Sequence, residues 1–346
     1  MAFDKLRLGL DTAALQRTID HTHQRLLNCR NQAGYWDAPA VGNAPTLSSL
    51  DLTCRAIHAL AAGGKITAAS EIESLRNVIL EQQEKKPNAQ GQGWGTPEIG
   101  TNSHATATAL LALRELGPIE SPVAQAAAAG LHWLLRQQDS DGGLPLLPPR
   151  GWWPQRHPVR SSAVAATAMR AGLAWLDLAP PDHAPRLRQF CGGCLTFLAA
   201  HQRQDGGWAE TTDVKTGPNA SDFTATAAVL RALEDAATLA PQDAGIKRLH
   251  KGGVHFLTTR QQEDGTWTDL HLAPLTATAL AVAALANHLH DLGLATGPTV
   301  QTALTRGVHW LLTHTQEGTQ FAPPSDAATI SATLEAVGRV QMLNSE

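Results

Sequence analysis

The sequence predicts an all-α protein: a single α6/α6 toroid, six outer and six inner helices spanning residues 1–346 as one domain. Three observations predict it. A short turn phrase recurs six times, a bulky amphipathic helix pattern precedes its recurrences, and a helix pattern of small apolar residues follows each one. Length alone would suggest two domains, but repetition on the scale of a helix pair describes one repeat architecture. Small residues on the second helix of each pair let neighbours approach closely, which favours a closed ring over an open solenoid.

The turn phrases are Gln32-Ala-Gly-Tyr-Trp36, Gln92-Gly-Trp94, Gln138-Asp-Ser-Asp-Gly-Gly-Leu144, Gln204-Asp-Gly-Gly-Trp208, Gln262-Glu-Asp-Gly-Thr-Trp267 and Gln316-Glu-Gly-Thr-Gln-Phe321. Ahead of them run segments such as Gly130-Leu-His-Trp-Leu-Leu135, Cys194-Leu-Thr-Phe-Leu198, Gly253-Val-His-Phe-Leu257 and Gly307-Val-His-Trp-Leu-Leu312. Their apolar spacing marks amphipathic outer helices. Behind the phrases come Leu50–Ile57, His104–Leu111, Ser162–Met169, Asp222–Val229, Leu275–Leu280 and Asp326–Ala332. These are small and apolar nearly all round, as buried inner helices must be. An Asp-Gly turn reverses the chain through a left-handed glycine. The tryptophan then packs on neighbouring helix ends while its indole N–H finds a backbone acceptor.

Acidic residues exceed basic ones by 31 to 27, so a general polyanion-binding surface is excluded and no nucleic-acid partner is expected. No apolar run is long enough for a spanning helix, while peripheral membrane contact stays open. The first residues, MAFDKLRLGL, carry charges and lack the core of a secretory signal, which predicts a cytoplasmic chain. Four cysteines do not make a disulfide framework, and Cys191 and Cys194 are read as free thiols within a helix.

The phrases Gln204-Asp-Gly-Gly-Trp208 and Gln262-Glu-Asp-Gly-Thr-Trp267 resemble the QW motifs of the squalene-hopene cyclase and oxidosqualene cyclase family. The helix-pair repeat is also similar to the β subunit of protein prenyltransferases. The resemblance implies an α/α toroid and an isoprenoid-type ligand in its central cavity. In the cyclases it further implies protonation of an alkene or epoxide by an aspartate at the start of an inner helix. Those cyclases usually carry two such domains, whereas this chain has room for one. Their Asp-x-Asp-Asp-Thr-Ala phrase has its nearest match at Asp222-Phe-Thr-Ala225, with Ala220 and Phe223 in place of the flanking acids. By order along the chain the acid falls on the second inner helix, which here carries His104. The first inner helix offers Asp51-Leu-Thr-Cys54.

These residues give the candidate catalytic set Asp222, Asp51 and His104, with Asp222 the best-matched proton donor and the other two as helper or substitute. Each aspartate has an alternative role as a helix cap or first-turn acid. The prenyltransferase likeness gives an alternative zinc set, Asp51, Cys54 and His104, whose spacing departs from that family by one residue; otherwise no cofactor is expected. Six inner-helix N-termini at one mouth would favour an anionic ligand and lower the pKa of an acid placed there. A long insertion before the third inner helix adds Trp152, Trp153, Arg156, His157 and Arg160, with Arg150, a mixture of apolar, cation–π and anion-binding groups suited to substrate. One tyrosine and six phenylalanines are few π-faces for a long carbocation cascade, so any cyclisation is expected to be short. The leading expectation is a terpene cyclase-like enzyme acting on a modest isoprenoid or prenylated small molecule. The alternatives are a non-catalytic toroid binding a lipid, peptide or partner protein, and zinc-dependent prenyl transfer.

Overall fold

A computed structural model of the chain describes residues 8, 10–32, 34–36, 49–66, 68–85, 92–96, 100–146, 159–212, 221–269, 272–291, 298–315 and 327–345. Twelve helices follow one another in this part of the chain: α1 (Thr12–Asn28), α2 (Ser49–Ala62), α3 (Ala69–Glu81), α4 (Ser103–Glu115), α5 (Ser121–Gln137), α6 (Ser162–Ala174), α7 (Ala184–Ala200), α8 (Phe223–Leu239), α9 (Ala244–Thr259), α10 (Pro274–Asp291), α11 (Pro298–Thr315) and α12 (Ala327–Ser345). The even-numbered helices pack in chain order, each on the next, and α12 returns to pack on α2. That contact closes an inner ring of six. The odd-numbered helices lie outside it, and α1 completes the outer layer by packing on α12 and α11. The all-α toroid expected from the sequence is therefore the observed fold.

Composition explains which helix goes where. Every residue of α4 from Ala105 to Leu113 is buried, because this helix meets α2, α6 and its own outer helix on three sides. Outer helices bury one face only, as Leu187, Phe190, Cys194, Phe197 and Leu198 do in α7. Side-chain caps start three of the inner helices: Asn102 accepts from Ala105 N–H, Ser161 from Val164 N–H and Asp222 from Ala225 N–H. A short antiparallel pair, β1 (Gly95–Thr96) with β2 (Gly100–Thr101), leads into α4.

The turn phrases are the joints of the ring. Trp36, Trp94, Trp208 and Trp267 are fully buried, and each indole N–H donates to a carbonyl of the outer helix before it, at Leu26, Ile79, Leu198 and Leu257, over 2.7–2.8 Å. Their backbone N–H groups donate to Thr53, Thr106, Thr226 and Thr278, in the first turns of the following inner helices. One tryptophan thus fixes an outer helix end to an inner helix start. The glutamines that link one repeat to the next differ from those the phrases suggest. Gln83, Gln138, Gln202 and Gln261 reach carbonyls of the next outer helix, at Ala126, Phe190, Leu249 and Ala303, whereas the phrases at three of these joints begin with Gln92, Gln204 and Gln262. The amide must leave the helix end before the Asp-Gly reversal to reach across. The sixth phrase lies outside the described residues.

Close approach is made by glycine on the facing helix. A Cβ on Gly130 would sit 2.5 Å from Trp94, one on Gly253 would sit 2.7 Å from Leu230 and 3.1 Å from Trp208, and one on Gly307 would sit 2.7 Å from Trp267. In the third phrase Leu144 replaces the tryptophan, and the facing position is Cys194 instead of glycine. Cys194 and Leu144 are both fully buried, and Gln138 Nε2 lies 3.3 Å from the Cys194 sulfur. Burial raises both the Cys191 and Cys194 thiols, which keeps them protonated and unreactive.

Gly253→Ala is expected to destabilise the protein by about 1–3 kcal/mol through overpacking, despite the better helix propensity of alanine. Gly192→Ala, on the same type of helix with open space around its Cβ position, is expected to stabilise by up to about 1 kcal/mol. Urea unfolding of the two variants checks the sign of each change.

Candidate active site

Residues of the inner helices that keep partial exposure recur at spacings of three, four or seven. They are Ala163, Thr167 and Arg170 on α6, Thr224, Ala228, Arg231 and Asp235 on α8, Thr276 and Leu280 on α10, and Ala328, Ala332 and Arg339 on α12. Outer helices cover the opposite faces, so these stripes line the lumen of the ring. Its walls in the upper and middle levels are small and weakly polar. Charge is confined to two levels.

The first level is at the N-terminal rim. Asp51 lies in the first turn of α2 and is 6% exposed. Its Oδ2 is 2.9 Å from Arg55 Nε, one turn along the same helix, and its Oδ1 is 3.1 Å from His104 Nε2 at the start of α4. Burial by itself would raise the Asp51 carboxyl, but the Arg55 guanidinium and the His104 hydrogen bond overcome that and hold it well below the usual carboxylate range. His104 keeps about a third of its side chain exposed, with a relative accessibility of 35%. The rim therefore presents a buried carboxylate clamped by two donors from two helices.

Asp222 lies elsewhere. It caps α8, which neighbours α6 and α10 and is separated from α2 and α4 within the inner ring. One carboxylate oxygen accepts from Ala225 N–H and the other from Glu210 N–H, both at 2.6 Å. Burial raises its carboxyl against the pull of those two bonds. Asn102 and Ser161 do the same capping work on α4 and α6, so the Asp-Phe-Thr-Ala match coincides with the repeating cap position. The structure brings Asp51 and His104 together and leaves Asp222 apart from them.

Arg160 pairs with Asp141 and lies 3.5 Å from Asp139, both in the third turn phrase. Trp152, Trp153, Arg156 and His157, with Arg150 and Asp326, lie outside the described residues. Cys54 is buried, and its thiol is pushed far up by burial and then by the Asp51 charge, the opposite of what a metal-binding thiolate needs. Among the described residues no group of three or more His, Cys, Asp or Glu side chains is gathered as a metal site requires. Asp51, Cys54 and His104 thus do not fit the zinc set.

The second charged level was not singled out from the sequence. About two helical turns below the rim, His58 Nδ1 meets Glu115 Oε1 at 3.1 Å, Arg170 meets Asp235 at 2.8 Å, and Arg231 meets Glu335 at 2.7 Å. Arg339 holds both Glu335, at 3.0 Å, and Asn287, at 2.8 Å. All six inner helices contribute. Because α8 and α12 are not neighbours in the ring, the Arg231–Glu335 pair reaches between them across the ring, and these pairs form a charged floor level. Burial would raise Glu335, but Arg231 and Arg339 hold it down at about 2. The available signal was an isolated charge within an otherwise small and apolar helix, as at Arg170 in α6.

Residues 180–280 match the family model of the squalene-hopene cyclase C-terminal domain. That stretch is similar to the squalene-hopene cyclase C-terminal domain. Among solved structures, a variant of the type II terpene cyclase MstE from Scytonema, in complex with geranylgeranyl dihydroxybenzoate, superposes with a TM-score of 0.70 at 14% identity, covering 96% of this chain and 99% of that one. The ent-copalyl diphosphate synthase from Streptomyces platensis gives 0.60 at 18% identity, covering 97% of this chain and 68% of that one. An α-mannanase from Bacteroides thetaiotaomicron gives 0.71 at 8% identity over 98% of both chains. At these identities the likeness is one of fold. No curated protein sequence matches the chain. No helix among the described residues is long and apolar enough to cross a membrane.

Glu335→Ala is expected to cost about 3–5 kcal/mol, because it leaves Arg231 and Arg339 buried without their shared carboxylate. The same linkage works through pH. With its carboxyl held at about 2 in the fold against an ordinary glutamate value of 4.5, Glu335 contributes stability that is present above pH 4.5 and lost as the pH falls through about 2. Acid unfolding of the wild type and of the variant, followed by circular dichroism, checks both statements.

Proposed function

We propose that the protein is a terpene cyclase-like enzyme that starts ring formation by protonating an isoprenoid alkene in the lumen, and that Asp51 is the acid. The observation that carries this reading is the clamp of Asp51 between Arg55 and His104 at the rim of an otherwise small and apolar chamber. A passive lipid or peptide pocket gains nothing from burying such a carboxylate, which is costly to desolvate. The squalene-hopene cyclase match and the shared fold of type II terpene cyclases support the substrate class.

Asp51 transfers its carboxyl proton to the less substituted carbon of the terminal alkene, leaving a tertiary cation on the dimethyl-bearing carbon that an internal double bond attacks. Loss of a proton from the cyclised cation completes an isomerisation. Arg55 and His104 favour the carboxylate over the acid, so the proton that Asp51 gives up is that of a stronger acid than an ordinary aspartic acid. His104 is a positioning residue: it holds the carboxylate and takes no proton from substrate. Asp222 is ill suited to this step because both its oxygens are engaged as a cap and its carboxyl is the weaker acid. Trp152, Trp153, Arg156, His157 and Arg160 are proposed to bind substrate, and Arg160 is held by its pair with Asp141.

With geranyl- and farnesyl-chain substrates, Asp51→Asn is expected to lower turnover by at least about 100-fold. Asp222→Asn, which preserves an effective helix cap, should stay within about ten-fold of wild type. Since only protonated Asp51 reacts and its pKa is depressed, turnover should fall as the pH rises from about 5 to 8. Full activity in Asp51→Asn, or loss confined to Asp222→Asn, would contradict the assignment.

A further inference from the structure

The joints between successive outer helices are not filled alike. Between α3 and α5 the buried Arg76 crosses the joint: its Nη2 donates to the Leu116 and Pro118 carbonyls, both at 3.2 Å, and its Nη1 lies 3.4 Å from Glu120, the N-cap residue of α5. Arg76 stands seven residues ahead of the linking Gln83. Seven residues ahead of the linking Gln138, in α5, stands Leu131, and the N-cap residue of α7 is His183. At the next joint both members of the ion pair are therefore replaced, the cation by an alkyl chain and the acid by an imidazole. A cavity of about 350 Å³ lies there, between α5 and α7.

Its apolar wall is made by Ala128, Leu131 and Leu135 of α5, Leu187 of α7, and Trp175 and Leu178 just beyond the end of α6. Leu178 is 46% exposed, although a side chain of this size is usually covered. The polar part of the wall carries one sign. His132, His183 and Arg186 line the cavity, and no carboxylate does. The exposed Asp182 reaches His183 at 3.5 Å, while the Arg186 side chain has no acidic partner among the described residues. Burial, and then the cations Arg136, His183 and Arg186, hold the His132 imidazole below its ordinary value, so these groups are near enough to act on one another. An apolar hollow with uncompensated cationic donors on one side is complementary to an anionic amphiphile: the alkyl chain displaces water from the leucines, and the head group takes the donors of the guanidinium.

We propose that this cavity is a second ligand site, in the outer layer and apart from the lumen, that takes a medium-chain fatty acid with its carboxylate at Arg186, flanked by His132 and His183, and its chain along Leu131, Leu135 and Leu178. The volume is near the small end of the range for small-molecule sites, which suits a chain of roughly ten carbons. The proposal is independent of the isoprenoid reading, because none of the residues it uses faces the lumen.

Calorimetric titration of the full chain at neutral pH with decanoic acid and with 1-decanol, which has the same chain and no charge, tests it. Decanoic acid is expected to bind at least about five-fold more tightly, the effect of one charge-assisted contact at a partly exposed site. Arg186→Gln should bring the two probes to within about two-fold of each other. Ala128→Trp, whose larger side chain occupies the cavity, should weaken both probes by at least about ten-fold. Both positions are exposed, so the fold tolerates the changes, and a probe held in the lumen would be indifferent to either of them. Equal affinity of the wild type for the two probes, no binding of either, or binding unaltered in both variants would overturn the inference. Capture of the chain by phosphatidylglycerol vesicles without decanoate binding would overturn it too, by assigning this face to a lipid surface.

Discussion

The hydrogen bond from each tryptophan backbone N–H to a threonine hydroxyl in the first turn of the next inner helix is the constraint on which the lumen depends. It fixes where an inner helix begins relative to the outer helix that precedes it, and it recurs at four joints with little variation. Helices begun at a common level bring their N-termini to one rim. Asp51 and His104, one residue type on each of two successive inner helices, meet at 3.1 Å because both occupy corresponding positions just inside that rim. A joint of another length would displace one from the other by a fraction of a turn, and the clamp on Asp51 would open.

Charge follows from the same architecture. A ring of small residues leaves a lumen, and a lumen lined only by alanine, threonine and leucine offers no directionality to a ligand. Here the inner helices place one set of ionisable groups at the rim and another two turns below, with weakly polar walls between. The floor level also joins distant parts of the ring: an ion pair links the non-neighbouring helices α8 and α12. Burying so many charges is costly in isolation, and it is sustained here because the carboxylates have close cationic partners. The likeness in fold to an α-mannanase, as strong as that to terpene cyclases, shows that the toroid itself specifies no chemistry. The proposed function rests on the side chains at the rim.

Much of the fold was legible in the sequence because its signals are local and repeated. Asp-Gly reversals, buried indoles and helices of small residues each declare themselves within a short window, and closure followed from the small inner helices. The linking glutamines are not legible from the phrases at three joints, because the bridging amide belongs to the helix end ahead of the Asp-Gly-x-Trp core. The site was less legible. Asp222 drew attention through its Thr-Ala neighbours, but a helix cap and a catalytic phrase use the same residue types at the same place. Asp51 and His104 could be proposed as partners from their positions in successive repeats, while Arg55 could not, since nothing local distinguishes it from a solvated arginine. The floor escaped notice because its pairs join helices as distant in sequence as α8 and α12, and their meeting depends on ring closure.

The most direct test is the titration of the Asp51 carboxyl in the intact protein, followed by carbon-13 NMR with Asp51→Asn to assign the resonance. The account predicts that it stays ionised well below the ordinary aspartate value of 3.8, and that His104→Ala shifts it upward. An Asp51 carboxyl that titrates at or above 3.8, indifferent to His104, would contradict the clamp and with it the role given to the rim.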